Sequence, residues 1–375
     1  MQKISPERAI FVPWLLFTGV AVFLFHNSKL LYMIKTEKIS PIAFAAAIML
    51  FILCQCKDGS EHYITLTGNA QGSTYKIVTL LPDGIGEDSL AAMVTDLLGE
   101  MDRTFSLHYD KSIISAINRN EDARLNTHFK EVFLISQEVS YNSGGLFDIT
   151  VAPLVRAMGF GPGSFREIDT TAVDSLLKFV GYEKVALVEG RIVKSDSRVE
   201  LDMNSVAKGY SVDVVSELFD SLGIESYLIE IGGEVRTTGS YIDRPWRVGI
   251  DAPRDGNIVP GQELLAVVEM YDDALATSGN YRNYFVIDGV RYSHTIDPVS
   301  GMPAHNRLLS ATIVTGDCAR ADAWATACMV AGPESAKELI LENGLEAVLV
   351  YSGRDDDVEV WISDGIRERV RLISD

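Results

Sequence analysis

Beyond Lys57 the chain alternates short strand-like and helix-like segments, nearly every one closed by glycine or an Asp/Pro turn, with no linker and no repeat to divide them. This alternation confines the region to one continuous α/β unit. Segments 63–67 and 74–80 alternate in β fashion around Gly68 and Gly72, which predicts paired strands. Over 89–105, Leu90, Met93, Val94, Leu97, Leu98, Met101 and Phe105 recur at helical spacing, with Asp88 as the expected N-cap. Further helices are predicted at 128–142, 171–180 and 206–222, each stopped by glycine, where a left-handed cap is cheap. Strands are predicted at 227–231, 235–239, 246–250 and 264–270. Helices at 319–330 and 334–343 and strands at 347–351 and 358–362 follow.

The first 56 residues have a different character. An uncharged apolar run covers 9–25, and a second covers 39–54 behind Lys35 and Lys38, the basic and apolar regions of an export signal. Met33 would start such a signal by itself, so 1–32 reads as an upstream extension. The alternative, two membrane helices, places Lys29, Lys35 and Lys38 in an exported loop, against the positive-inside bias. Cys54 and Cys56 close the second run. Either lipid attachment at Cys56 or a plain anchor leaves the body, residues 57–375, exported, held at a cell membrane and facing the periplasm. Cys318 and Cys328 lie in an Ala-rich apolar stretch and read as buried thiols rather than a zinc site or disulfide.

Charge excludes one class of partner. Fifty-two Asp and Glu oppose 33 Lys and Arg for a net −19 over 375 residues, so a nucleic-acid surface is ruled out and any polyanion must be held locally. No nucleophile elbow, phosphate-binding GxxxxGK[ST] loop or HExxH helix is present. Polar and glycine-bearing clusters remain: QGST (71–74), GGLFDIT (144–150), LDMNSVAKGYSVD (201–213), IGGE (231–234), ATSGNY (276–281), SHTIDPVSGMP (293–303) and ADAWAT (321–326). Asp322 and Thr326, four apart, share a helix face with two oxygen ligands suited to Mg²⁺; a helix-start Asp with a Thr bonded back to a carbonyl is the alternative. Lys208, in a first helical turn behind Ser205, opposes the helix dipole and so points to a bound anion. His294, in a Gly/Pro loop, is placed to meet a ligand.

In order and spacing, these clusters resemble the ApbE family of FAD:protein FMN transferases over roughly residues 68–332. The resemblance implies a mixed α+β, or α/β, fold: a bilobal, T-fold-related single catalytic domain over 57–375, behind the apolar segment 1–56. It implies cleavage of FAD with Mg²⁺, release of AMP, and a phosphoester between FMN and a Thr or Ser of an acceptor protein. By motif matching, it puts the metal on Asp322, Thr326 and an oxygen of Ser205. FAD contacts fall on Gln71, His108, Leu146, Phe147, Asp148, Asp202, Lys208 and Ile296. Asp322 is the first candidate for taking the hydroxyl proton, directly or through the metal, and His294 the second. Acceptors in such a family are flavin-carrying subunits of respiratory or electron-transfer complexes. The chain departs from the family at Gln71-Gly72-Ser73, His108, Leu146 and Asn280, none of them in the metal set. A flavin-binding protein or FAD pyrophosphatase that modifies no target is the competing reading, and a membrane-tethered scaffold a third.

Overall fold

The computed structural model describes residues 9–10, 20–25, 32–35 and 63–373, apart from 83, 161–171, 255, 258, 281–283, 288–289, 294 and 354–356. In the N-terminal unit, Ala9–Ile10, Val20–Phe25 and Tyr32–Lys35 pair as antiparallel strands. The apolar run 39–54, Cys54 and Cys56 lie outside the described residues. Among the described residues no helix is long and apolar enough to cross a membrane.

The second unit, Glu61–Asp375, begins with β1 (Tyr63–Ala70), β2 (Ser73–Leu80), α1 (Glu87–Phe105), α2 (Ile113–Asn118), α3 (Thr127–Asn142) and α4 (Ala152–Ala157). Next come β3 (Val185–Val188), β4 (Arg191–Lys194), α5 (Asn204–Ser221), β5 (Tyr227–Ile231), β6 (Glu234–Thr238), β7 (Trp246–Asp251), β8 (Leu264–Met270) and β9 (Ala274–Gly279). β10 (Tyr284–Ile287), β11 (Val290–Ser293), β12 (Leu308–Thr315), α6 (Cys318–Glu342), β13 (Glu346–Ser352), β14 (Val358–Ile362) and β15 (Val370–Leu372) complete it.

Eight strands form one antiparallel sheet in the order β14-β13-β12-β9-β6-β5-β2-β1. Helices cover one face, and a three-stranded sheet, β7-β8-β15, covers part of the other. Strand alternation divides the side chains between these layers. On β9, Ala274 and Ala276 face the helices, while Leu275 faces the second sheet. The small alanines leave room for α6 to lie close to the strand.

α5 is buried nearly all round. Val212, Val215 and Phe219 pack with Ile77, Tyr227 and Ile229 of the sheet, while Val206, Tyr210 and Val214 join the cluster beneath α3 and α6. Each such side chain contributes roughly 1.5–3 kcal/mol on burial. Asp213 ties α5 to its neighbours: its carboxylate accepts the amides of Cys318 and Ala319, both at 2.8 Å, and Arg236 Nη1 at 2.7 Å. It thus caps α6 from another helix. Asp317 adds the local cap by accepting the Arg320 amide at 3.0 Å.

Three local expectations change. The N-cap of α1 is Gly86, in extended conformation and without a side-chain cap bond; Asp88 sits in the first turn, where its charge suits the helix dipole. The helix expected at 171–180 is a single turn, Val173–Leu176, followed by a 3₁₀ turn, Leu177–Phe179. The helices 319–330 and 334–343 run on as α6, with a break at Gly332 (φ 77°) ahead of Pro333. Cys318 and Cys328 are free, buried thiols, as expected.

Candidate active site

Two tight turns shape the site. Ala70 pairs with Ser73 and Ile231 with Glu234, so Gln71-Gly72 and Gly232-Gly233 are two-residue hairpin turns with positive φ throughout, at 51° and 72° and at 63° and 100°. That geometry suits glycine and strains Gln71. The second turn places Glu234 at the start of β6, only 3% exposed. The first places Gln71 against α5, where its Nε2 donates to Ser211 Oγ at 2.6 Å.

Close helix contact brings the rest together. Gly209 on α5 has no side chain where α6 crosses it; a Cβ there would lie 2.3 Å from the Cys318 carbonyl oxygen and 2.9 Å from Asp322 Cβ. The Gly209 amide donates to Asp322 Oδ2 at 3.2 Å. An undistorted helix would direct that amide to the Ser205 carbonyl, and Ser205 itself departs from helical geometry (φ −88°, ψ 18°). Ser205, Lys208, Glu234, Ser278, Asp322 and Thr326 consequently line one cleft of about 1100 Å³. Thr326 Oγ1 lies 3.4 Å from Ser278 Oγ.

The electrostatics of the cleft centre on Lys208, whose ammonium donates to Glu234 Oε1. Burial opposes this charge, but Glu234 and Asp322 outweigh it and hold the Lys208 pKa above its ordinary value. Burial, reinforced by Glu234, pushes the Asp322 carboxyl up to about 7, with Lys208 and the Gly209 amide pulling the other way. Glu234 Oε2 is buried without a hydrogen-bond partner. Among the described residues no three His, Cys, Asp or Glu side chains converge as a metal site. The donors present are a carboxylate and hydroxyls, with a main-chain carbonyl at Ser205: hard oxygen ligands of the kind Mg²⁺ takes.

Glu234 was missed as a site residue in the sequence, where only the IGGE cluster marked its neighbourhood. Its pairing with Lys208 needs β6 and α5 side by side, a contact spanning 26 residues.

Ser73 and Thr74 of the first motif and Thr277 of ATSGNY also line this cleft, whereas Gln71, His108, Leu146, Phe147, Asp148, Asp202 and Ile296 do not. The Asp202 amide donates to the Ile149 carbonyl at 2.7 Å, which joins the LDMN and GGLFDIT segments. Burial raises the Asp202 carboxyl, against the pull of the Asn204 amide, which donates to its Oδ1 at 2.9 Å, and of the nearby, exposed His108. Asp148 is 7% exposed; burial raises its pKa although it accepts the amide and hydroxyl of Thr150, at 2.7 and 2.6 Å. The Phe147 side chain belongs to the helix-side core, and Leu146 is half-buried beside it. Ile296 packs with Leu154, Met158, Val173 and Val180 in a separate cluster. His294 lies outside the described residues.

The sequence model of the ApbE family matches residues 71–349, which hold both the cleft residues and this second group. The chain belongs to the ApbE family. It is 32% identical over 329 residues to the FAD:protein FMN transferase of Vibrio cholerae, covering 86% of this chain and 97% of that one. The Escherichia coli K12 FAD:protein FMN transferase is 28% identical over 337 residues, 86% of this chain and 95% of its own. Among solved structures, the flavin transferase ApbE from Vibrio cholerae superposes with a TM-score of 0.75 at 31% identity, covering 82% of this chain and 99% of that chain. The apo Pseudomonas stutzeri flavinyl transferase ApbE gives 0.74 at 32% identity, covering 82% and 96%. As an ApbE-family chain, it has the mixed α+β fold of these crystal structures.

Proposed function

We propose that this ApbE-family chain is an FAD:protein FMN transferase that joins FMN to a Thr or Ser hydroxyl of an acceptor protein and releases AMP. The observation that carries the reading is the convergence of Ser205, Lys208, Asp322 and Thr326 on one cleft, in a chain matching curated FMN transferases over 86% of its length. In the transfer, the hydroxyl oxygen bonds to the FMN phosphorus, the bond from that phosphorus to the bridging oxygen breaks, and the hydroxyl proton leaves to a base. Lys208 gives one donor to Glu234 and has two left for phosphate oxygens. Alignment and charge stabilisation are most of what phosphoryl transfer asks of a protein.

Asp322, Thr326 and an oxygen of Ser205 would hold Mg²⁺, which supplies charge neutralisation at the pyrophosphate when bound. The buried, unpaired Glu234 Oε2 and the all-oxygen donor set support this fit. Asp322 is also the base candidate, by virtue of its burial in the cleft wall, with His294 second. FAD is assigned to Gln71, His108, Leu146, Phe147, Asp148, Asp202, Lys208 and Ile296. The backbone link between Asp202 and Ile149 supports a shared role for two of these segments.

Residues 1–56 serve, in this reading, as export signal or membrane anchor, with attachment either through lipid at Cys56 or through the apolar segment itself. The body faces the periplasm and modifies flavin-carrying subunits of respiratory or electron-transfer complexes. The basic Lys35 and Lys38 ahead of the apolar 39–54 run support this location.

The test is incubation with FAD, Mg²⁺ and an acceptor subunit, followed by in-gel flavin fluorescence and mass measurement. An acceptor heavier by one FMN, with one AMP released per label, is expected. AMP and free FMN with an unlabelled acceptor would show an FAD pyrophosphatase instead.

A further inference from the structure

One cross-strand row on the outer face of the large sheet runs Lys76, Glu230, Val235, Leu275, Val314. Val235, Leu275 and Val314 are buried beneath β7-β8-β15, packed with Trp246, Val248 and Val268. Lys76 is exposed and Glu230 half-buried. The row therefore turns from apolar to charged where the second sheet stops: Tyr63 of β1 and Val78 of β2 still pack beneath that sheet, whereas Thr65, Thr67 and Lys76 of the same strands are exposed.

The strand at that boundary is β7, which pairs with β8 alone among the described residues and leaves its other edge open. Four consecutive β7 residues, Trp246 to Gly249, line the same cleft as Lys208 and Asp322. Tyr63 and Tyr241 pack against Trp246, with ring centroids 6.0 and 5.2 Å away, and anchor this edge above β1. Adjacent strands lie about 4.8 Å apart, so a strand added beside β7 would lie over the uncovered face.

We infer that the acceptor polypeptide docks here as an extended segment, adding a strand to the free edge of β7 and leading its Thr or Ser along the cleft to Lys208 and Asp322. The inference rests on the transferase reading, which requires a protein substrate. Three observations select that occupant. The cleft is continuous with the reactive groups. Of the residues assigned to FAD, Gln71, His108, Asp148, Asp202 and Ile296 do not line it and Lys208, at the pyrophosphate, does, which leaves the stretch of the cleft from Lys208 to β7 for the second substrate. Main-chain pairing suits an enzyme that accepts a short segment, because backbone bonds give affinity whatever the side chains. Arg244, exposed on the cleft wall over the Tyr241 ring at 5.3 Å and without an ion-pair partner among the described residues, offers a cation to a carboxylate of that segment.

The experiment uses the full chain loaded with FAD and a synthetic peptide of about 15 residues spanning the threonine of an acceptor subunit that the enzyme labels. Amide hydrogen exchange should show protection across Trp246–Asp251 on adding the peptide. Thr65→Trp, an exposed change on β1 that fills the cleft beside β7, should raise the acceptor KM about tenfold or more, equivalent to about 1.4 kcal/mol, and leave the FAD affinity measured by flavin fluorescence unchanged. Arg244→Glu should raise the same KM and be compensated when the peptide's acidic residues are replaced by lysine. Labelling by wild-type enzyme with no protection of the β7 amides, or an unchanged acceptor KM in Thr65→Trp, overturns the docking site alone. A wild-type enzyme that labels no acceptor overturns the transferase reading, and this inference with it.

Discussion

The Gly209 amide donates to Asp322 Oδ2 at 3.2 Å, and the missing side chain of Gly209 lets α5 and α6 meet at that point. One residue thus sets both the helix spacing and the place of the acidic group in the cleft.

Gly209→Ala should therefore be harmful although alanine is the better helix former by about 1 kcal/mol. Its methyl would sit 2.3 Å from a main-chain carbonyl oxygen, which cannot swing away as a side chain could. A loss of roughly 1–3 kcal/mol is expected from overpacking, together with reduced FMN transfer as Asp322 shifts. Thermal unfolding and a transfer assay on the same preparation check both.

Asp322→Ala should abolish metal-dependent AMP release while FAD remains bound. Full activity in this variant would show that the metal assignment is mistaken. Isothermal titration with Mg²⁺ gives a second readout, with weaker binding expected.

Glu234→Gln should leave the Lys208 ammonium without its carboxylate in a largely buried site, at a cost of roughly 3 kcal/mol. Adding Lys208→Met to Glu234→Gln should recover much of that stability but none of the transfer activity. Urea unfolding of the two single variants and the double variant measures the coupling.

Asp213 should make stability depend on pH. Burial pushes its folded pKa up to about 6, from an ordinary 3.8, against the pull of the Cys318 and Ala319 amides and Arg236. Between these values the folded state binds the proton more tightly than the unfolded state. Its contribution is thus complete below about pH 4 and is lost as pH rises through 6, on the order of 3 kcal/mol. The stability difference between the wild type and Asp213→Asn should shrink over that interval. A difference that grows would reverse the assignment.

Cys318 and Cys328 should resist alkylation in the folded protein. Both are fully buried, and burial raises both thiols, Cys328 up to about 12. Iodoacetamide labelling read by mass spectrometry should leave both unmodified until denaturant is added.

Much of this architecture was legible in the chain. The strands at 227–231, 264–270 and 358–362 have the predicted ends, since alternation marks a half-buried strand plainly. β9 and β12 were not foreseen. Ala274–Gly279 carries small and polar residues that read as a loop cluster, and Leu308–Thr315 is buried on both faces, so neither shows clean alternation. The hairpin β3/β4 and the short helices α2 and α4 were missed too, being too short for a periodic signal.

By itself the sequence determined the family, through ordered motifs, and placed Asp322 and Thr326 on one helix face, because helical spacing is a local property. The tertiary structure alone decided that Glu234 holds Lys208, that Asp213 caps α6, and that β7 ends the second sheet beside the cleft that Lys208 and Asp322 line. Each of these depends on groups brought together by packing, from 26 to 106 residues apart for the hydrogen bonds, and neither propensity nor periodicity records such contacts.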